Sequence, residues 1–518
     1  MVSAELVVAD LVGKQARRVP DRIAIRDSVR AVTYREMDRR VDGLAAGFRH
    51  AGVVSGDRIT LLANNSAQYL QVLLACSRIG ATLVPINVRL IAAEIRFQVE
   101  DADSRFAVVD PALAALATDA GLFERTVWQT GAGLTELADH HVRETAVPRA
   151  DACSILTQLY TSGTTGRPKG CLLSQSAWLA AVSNQIMGFG FRDHDVVTIA
   201  TPLFHVSGLG QALTAFAVGG TIVLPASPAA EDIWASCREH GVTVAAFPTG
   251  LATALGHPGA AESGARLRMV LGGAGMEKAD TLQRLSTMLP SVEFGGIYGS
   301  TEAGGYSTRS THDDEISRPG TVGRPLPLVD AVLLDGDGAQ VEVGAVGELA
   351  LRGTSTMDGY WNLPAETAAA TRDGWLRTGD LMRYDEEGYL YFVGRSKEMV
   401  KPGGENVYTI EVEQALLNHP RVSEVAVFGV PDERWGEAVK AVVVMEHPVE
   451  AEELDAWCLE RLAPYKRPRW YEFRGDPLPR TAMGKVPKAE LRASHDPTMS
   501  IRLSERDRSE SPRPETRD

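Results

Sequence analysis

From about Ile59 the chain alternates short apolar runs with longer stretches of helical spacing: ITLLA, then YLQVLLACSRIG, then TLVPI. Such a strand, helix, strand rhythm predicts a parallel sheet covered by helices. It resumes with VVTIATP, GLGQALTAFAVGG, TIVLP, AEDIWASCREHG and VTVAAFP. Between about Gly320 and Gly394 the pattern changes to short alternating runs broken by Asp-Gly and Glu-Gly, as in AVLLDGDGAQVEV and YDEEGYLYFVG. Asp-Gly between alternating strands is a hairpin signal, so a small β-rich, barrel-like subdomain is expected here. After Gly394 the order TIEVEQALLNHP, EVAVFGV, AVKAVVVM, EAEELDAWCLERLA, RWYEF, PKAELRA predicts a small α+β domain. The last stretch, 494–518, is dense in charge, Ser and Pro and is expected to be disordered.

Length agrees with this division, because 518 residues exceed what one hydrophobic core serves. A formal net charge of −14 speaks against a general nucleic-acid binder, so an anionic substrate must meet a local positive site. The five cysteines are scattered, with no C-x-x-C pair and no His at metal-ligand spacing, which fits a reducing compartment. The N-terminal apolar run is cut by Asp10, and no stretch approaches the ~18 apolar residues of a membrane span. A cytoplasmic protein without an integral membrane segment is expected.

The most informative segment is YTSGTTGRPKG at 160–170, which follows the apolar run SILTQL. Gly163 and Gly166 permit a tight turn in which amide N–H groups converge on one anion, while the hydroxyls of Thr161, Ser162, Thr164 and Thr165 and the ammonium of Lys169 add donors and charge. By composition alone it would be a plain surface loop. It is not a Walker A loop, because G-x-x-x-x-G-K-[ST] is absent from the segment.

The whole string resembles the signature of the adenylate-forming superfamily, which holds acyl-CoA synthetases, aryl-CoA ligases, firefly-type luciferases and peptide-synthetase adenylation domains. Further motifs follow in that family's order: TPLFHVSG at 201–208, LGGAG at 271–275, YGSTE at 298–302, TGD at 378–380, GRSKEMVKPGGENV at 394–407 and LPRTAMGKV at 478–486. The resemblance covers about residues 5–493. It implies an N-terminal domain of layered α/β subdomains over 1–395, a hinge at 396–397 and a mobile C-terminal domain over 398–493. The implied reaction joins a carboxylic acid to ATP as acyl-AMP, then passes the acyl group to the thiol of coenzyme A.

On these motifs the resemblance implies a nucleotide site of Thr161, Ser162, Gly163, Thr164, Thr165, Lys169, Gly273, Ala274, Tyr298, Gly299, Asp380 and Arg395. Tyr298 offers a flat face for adenine, Thr301 a hydroxyl for the α-phosphate, and Glu302 a carboxylate for Mg²⁺, which prefers hard oxygen ligands. Asp380 suits the two ribose hydroxyls, with Arg395 holding the sugar. Lys485 is implied as the lysine of the adenylation step, drawing carboxylate and α-phosphate together. Phe204, His205 and Gly296 are implied at the acyl and thiol site. A His between Phe204 and Val206 also suits a satisfied core position.

Adenylation and thioester formation need different groups at one centre, and the family meets this by rotating its small domain about a hinge, here Lys397. Lys401 and the glycines at 403 and 404 would then meet the site and let a thin pantetheine arm pass. Two departures fall near the acyl site: CLLSQ follows the phosphate loop where relatives carry a Ser/Thr-His pair, and Met276 stands where Pro-Leu is commoner. FHVSGLGQ lacks the Asp that holds an α-amine in amino-acid-activating members, so a carboxylic acid without an α-amino group is expected. Fatty, aryl, terpenoid and dicarboxylic acids all stay open, as does a homodimer. The rival readings are a ligase that loads a separate carrier protein, one that performs a single half-reaction, and a non-catalytic acyl-adenylate-binding relative.

Overall fold

The computed structural model describes residues 6–141, 150–161, 167–402, 405–480 and 486–503. They form two compact units. The first is Met1–Ala345 with Leu349–Thr378 and Arg383–Phe392, and the second is Val346–Glu348 with Gly379–Met382 and Val393–Asp518.

In the first unit the expected rhythm is present: Arg58–Leu62, the helix Ala67–Ile79 and Thr82–Pro85 make a crossover whose strands pair in parallel. Ser66 caps that helix, accepting the Tyr69 N–H at 3.2 Å, which satisfies one of the donors a helix start leaves unpaired. These strands belong to a sheet in the order Gly359–Tyr360, Lys169–Ser174, Ile155–Thr161, Thr82–Pro85, Arg58–Leu62, Phe106–Val109, Thr126–Gln129. A second sheet of this unit contains, in order, Thr321–Pro325, Gly305–Thr311, Glu293–Ser300, Met269–Gly273, Val244–Ala246, Val196–Thr198, Thr221–Val223, Ile23–Arg26 and Ala31–Thr33. Trp234, Phe247, Leu282 and Phe294 anchor one core beside it, built from the helix Ala230–His240 and its neighbours.

The parallel strands of that sheet are tied at their N-terminal ends by one buried carboxylate. Asp195 accepts the Arg192 N–H at 2.7 Å, the Thr243 hydroxyl at 2.8 Å and Arg268 Nε at 2.8 Å. Burial raises the affinity of this group for a proton, but the bonds from Arg268, Arg192 and Thr243 outweigh it and hold the carboxyl below its usual range. The stabilisation is therefore complete above about pH 4 and is lost as pH falls through the lowered folded value. Asp195→Asn is expected to cost about 3 kcal/mol in urea unfolding at pH 7, because it leaves Arg268 without its countercharge. Unchanged stability there would contradict this account.

The Asp-Gly hairpin is also present: Leu334 bridges Gln340, and Asp335 Oδ1 accepts the Ala339 N–H at 2.9 Å. Antiparallel pairing of Thr321 with Tyr391 continues the β-rich stretch.

The second unit is a four-stranded sheet ordered Val422–Asp432, Gly436–Met445, Trp470–Arg474, Ile501–Arg502. Along Gly436–Met445 successive residues serve two cores: Val439, Ala441 and Val443 face one cluster, and Ala438, Val442 and Val444 the other. One composition-based expectation needs correction, since the charged stretch after residue 493 is not disordered from its start. Ile501 and Arg502 pair antiparallel with Tyr471 and Trp470, and His495 lies 3.0 Å from the buried ammonium of Lys440. Those contacts give the segment local partners that its polar composition did not reveal. Residues 504–518 lie outside the described residues.

Candidate active site

The strands Ile155–Thr161 and Lys169–Ser174 pair antiparallel, the last pair being Thr161 with Lys169, so both residues sit at the same end of the sheet. Ser162, Gly163, Thr164 and Thr165 fall in 162–166, outside the described residues. Glu302 follows the strand Glu293–Ser300 and comes to the same place. Its Oε1 accepts the Thr161 hydroxyl at 3.2 Å and the Tyr360 hydroxyl at 3.1 Å, and its carbonyl accepts the Met357 N–H at 2.8 Å. Lys169 Nζ stands 4.9 Å from the centre of the Tyr360 ring. Burial, and then the Glu302 carboxylate, push the Tyr360 phenol far above its ordinary range, so it stays a donor at neutral pH.

The segment after Met357 is zipped onto the hairpin edge. Asp358 N–H donates to Leu172 O at 2.9 Å, Trp361 N–H to Gly170 O at 2.8 Å, and Asp358 Oδ2 accepts the Ser174 N–H at 2.9 Å. This explains how a tyrosine nearly 200 positions after the hairpin reaches the carboxylate. The Glu302 carboxylate is a hard-oxygen donor of the kind that Mg²⁺ takes. One carboxylate completed by phosphate oxygens and water is the usual way a protein binds that ion with a nucleotide.

The ends of the neighbouring strands are built from glycine. Gly272 pairs with Gly296 and Gly273 with Ile297, and the Ala274 N–H donates to Ile297 O at 2.9 Å, which fixes Ala274 beside Tyr298. A bulge between Tyr298 and Gly299 re-aims the strand before Thr301, whose carbonyl accepts the Gly304 N–H at 3.0 Å. A Cβ on Gly299 would lie 1.7 Å from Gly305 O, so only glycine lets the two strands approach this closely.

His205 stands immediately before the helix Val206–Val218, half-buried, with its ring 4.9 Å from that of Phe204. It is not part of the sealed core. Asn65 holds the loop that carries it, accepting the Leu203 N–H at 2.8 Å and donating to Thr201 O at 3.1 Å. The two departures have separate fates: Gln175, which ends CLLSQ, is buried with its Oε1 accepting the Val8 N–H at 2.9 Å and the Ser77 hydroxyl at 2.8 Å, and Met276 is 82% exposed.

In the second unit Arg395 Nε lies 3.2 Å from Asp380 Oδ1, and Asp380 is buried. The Ser396 N–H donates to Gly379 O at 2.9 Å, and the Gly379 N–H to Glu348 Oε1 at 3.0 Å, so TGD and GRS are locked side by side although the 13 residues 381–393 separate them in sequence. Val400 and Val407 bridge each other through bonds of 2.9 and 2.8 Å, closing a loop that begins with Lys401. Lys397 lies just before that loop, while Gly403, Gly404 and Lys485 fall outside the described residues.

The model for the AMP-binding enzyme family matches residues 12–361, and that for the AMP-binding enzyme C-terminal domain matches residues 411–485. The chain belongs to the AMP-binding enzyme family. A feruloyl-CoA synthase from an Amycolatopsis species is 36% identical over 484 residues, 92% of this chain and 97% of that protein. A fatty acid–[acyl-carrier-protein] ligase from Streptomyces coeruleorubidus is 33% identical, covering 92% of this chain and 94% of that one. The crystal structure of ATP-bound MatB from Rhodopseudomonas palustris superposes with a TM-score of 0.85 at 30% identity, over 94% of this chain and 98% of that chain.

In this AMP-binding enzyme the residues that sequence reasoning missed are Tyr360 and Asn65, both of which act by holding other groups. Neither stands in a glycine-rich motif. The run MDGYW at 357–361 carried the only available signal, an aromatic pair directly after a turn.

Proposed function

We propose that this AMP-binding enzyme is an ATP-dependent acyl-CoA ligase acting on a carboxylic acid without an α-amine. The observation that carries the reading is the Glu302 carboxylate, held by the Thr161 and Tyr360 hydroxyls at the root of the phosphate loop beside Lys169. In the first half-reaction a substrate carboxylate oxygen attacks the α-phosphorus of ATP in line, and pyrophosphate leaves. Lys169 and the loop hydroxyls bind the phosphates, Thr301 meets the α-phosphate, and Tyr298 with Ala274 and Gly273 walls the base. Mg²⁺, held by Glu302 with phosphate oxygens, would supply charge neutralisation as pyrophosphate departs. Asp380 and Arg395, whose pairing presets their geometry, take the ribose hydroxyls, and Lys485 draws the two reacting anions together.

In the second half-reaction the coenzyme A sulfur attacks the acyl carbonyl, and AMP leaves with the oxygen it gained. Lys401, Gly403 and Gly404 are read as passing the pantetheine arm, and His205, Phe204 and Gly296 as lining the acyl and thiol site. Lys397 is the pivot between the two steps. Among the described residues no helix is long and apolar enough to cross a membrane.

A second reading, transfer to a carrier protein, is favoured by the carrier-loading relative from Streptomyces. A panel of fatty, aryl, terpenoid and dicarboxylic acids, with ATP and free coenzyme A, separates the two. The expected result is AMP release that depends on both acid and coenzyme A. Acid-dependent pyrophosphate exchange without thioester would favour a carrier acceptor instead.

A further inference from the structure

The two hydroxyls that hold Glu302 come from strands joined through Gly170. Tyr160 pairs with Gly170, and the Trp361 N–H donates to Gly170 O at 2.8 Å, so Tyr160, Gly170 and Trp361 lie in one row across the sheet. Thr161 and Tyr360 are the chain neighbours of Tyr160 and Trp361, and alternation along a strand turns neighbours to opposite faces. Thr161 and Tyr360 meet Glu302. Tyr160 and Trp361 face the other way and meet the end of the helix Ala92–Asp101.

On that second face the side chains close a ring. The Tyr160 hydroxyl donates to Asp101 Oδ2 at 2.6 Å, with Gln98 O 3.0 Å from the same hydroxyl, and Trp361 Nε1 donates to Asp101 O at 2.9 Å. The Arg58 guanidinium lies 3.4 Å from the centre of the Trp361 ring, its Nε donates to Gln158 Oε1 at 3.0 Å, and Gln158 Nε2 donates to the Tyr160 hydroxyl at 3.0 Å. Gly170 leaves the space for this ring, since a Cβ there would lie 2.6 Å from Gln158 Nε2. Burial, and then Asp101, push the Tyr160 phenol above its ordinary range, so it stays a donor at neutral pH. What the ring braces is the two-residue strand Gly359–Tyr360 at the edge of the sheet, which has little pairing of its own to fix it.

We propose that Tyr160 and Trp361 are a positioning pair for the Glu302 carboxylate: tied to each other through Asp101, they set the spacing of the Thr161 and Tyr360 hydroxyls on the opposite face and so aim Glu302 at nucleotide-bound Mg²⁺. The inference rests on the reading of Glu302 as the Mg²⁺ carboxylate. Hydrogen bonds weaken steeply with misalignment, so a small slip of the edge strand removes the Tyr360 donor and frees the carboxylate to turn. Neither Tyr160 nor Trp361 touches the nucleotide on this reading. They act through the sheet, and their loss shows in the response to Mg²⁺ ahead of the response to ATP itself.

The test uses Tyr160→Phe and Trp361→Phe in the full chain. Tyr34→Phe is the control, because it too removes a buried tyrosine hydroxyl, one that donates to Gly220 O at 2.7 Å between other elements. ATP binding is measured by calorimetry in EDTA and in Mg²⁺, alongside the Mg²⁺ dependence of acid-dependent AMP release. Mg²⁺ is expected to tighten ATP binding by the native chain about tenfold. Each of the two variants is expected to bring that tightening to about threefold or less while ATP binding in EDTA stays within about twofold of native. Half-saturating Mg²⁺ should rise about three- to tenfold, with kcat at saturating Mg²⁺ within about twofold. Tyr34→Phe should keep the native Mg²⁺ effect. Each variant decides the point alone should the other fail to fold. A folded variant that melts lower yet keeps the native Mg²⁺ effect, as the control does, shows a structural brace only, and the proposal is then wrong. ATP binding weakened equally in EDTA and in Mg²⁺ places the effect on the phosphates and not on the carboxylate, which also overturns it. Loss of the Mg²⁺ effect in the variants, together with no acid activated by the native chain, would uphold this inference while sinking the ligase reading.

Discussion

Glu302→Gln is expected to lower acid-dependent AMP release by about 10²- to 10³-fold, the scale of losing one preorganised electrostatic contact to a developing charge. The geometry makes the change specific. The carboxylate is an acceptor only, and its Oε1 already receives the hydroxyls of Thr161 at 3.2 Å and Tyr360 at 3.1 Å. An amide keeps the shape and can still take one of these bonds, but it loses the charge that would hold Mg²⁺ and balance Lys169. The variant should melt close to the native protein, and raising Mg²⁺ should recover part of the lost rate. Turnover within about threefold of native at low Mg²⁺ would remove Glu302 from the mechanism.

Lys485→Ala is expected to have an effect of the same order, confined to one half of the reaction. A lysine that draws a carboxylate to the α-phosphate acts only while that bond forms, so adenylate formation should fall about 10²- to 10³-fold. Thioester formation from supplied acyl-adenylate should stay within a few-fold of native, because the α-phosphate bond is then already made. Pyrophosphate exchange and single-turnover thiolysis measure the two halves separately. Equal loss in both would show a general structural role for Lys485, and no loss in either would show that the side chain is not engaged.

How much of this was legible in the sequence depended on whether a residue acts through its own motif or through a neighbour. The parallel strands and crossover helices were readable because a buried strand and an amphipathic helix leave different periods, as in ITLLA followed by YLQVLLACSRIG. The partnership of Thr161 with Glu302 was implied by motif order alone, and both residues meet in the fold. Asp380 and Arg395 likewise pair, through strands that the Glu-Gly turn announced. Tyr360 and Asn65 were not legible. Each works from a distance in sequence, with 58 positions between Tyr360 and Glu302 and 138 between Asn65 and the Leu203 amide it holds. The end of the small domain was misread because charge and Ser content carried no sign of the pairing of Ile501 and Arg502 with the strand Trp470–Arg474.

The most direct test of the ligase reading follows oxygen. An active carboxylic acid labelled with ¹⁸O in its carboxylate is incubated with ATP and coenzyme A, and the products are weighed by mass spectrometry. If an acyl-adenylate forms and is cleaved by the thiol, each turnover leaves one labelled oxygen in AMP and one in the acyl-CoA carbonyl, with none in pyrophosphate. Label in inorganic phosphate accompanied by ADP, or AMP formed without label, would contradict the account.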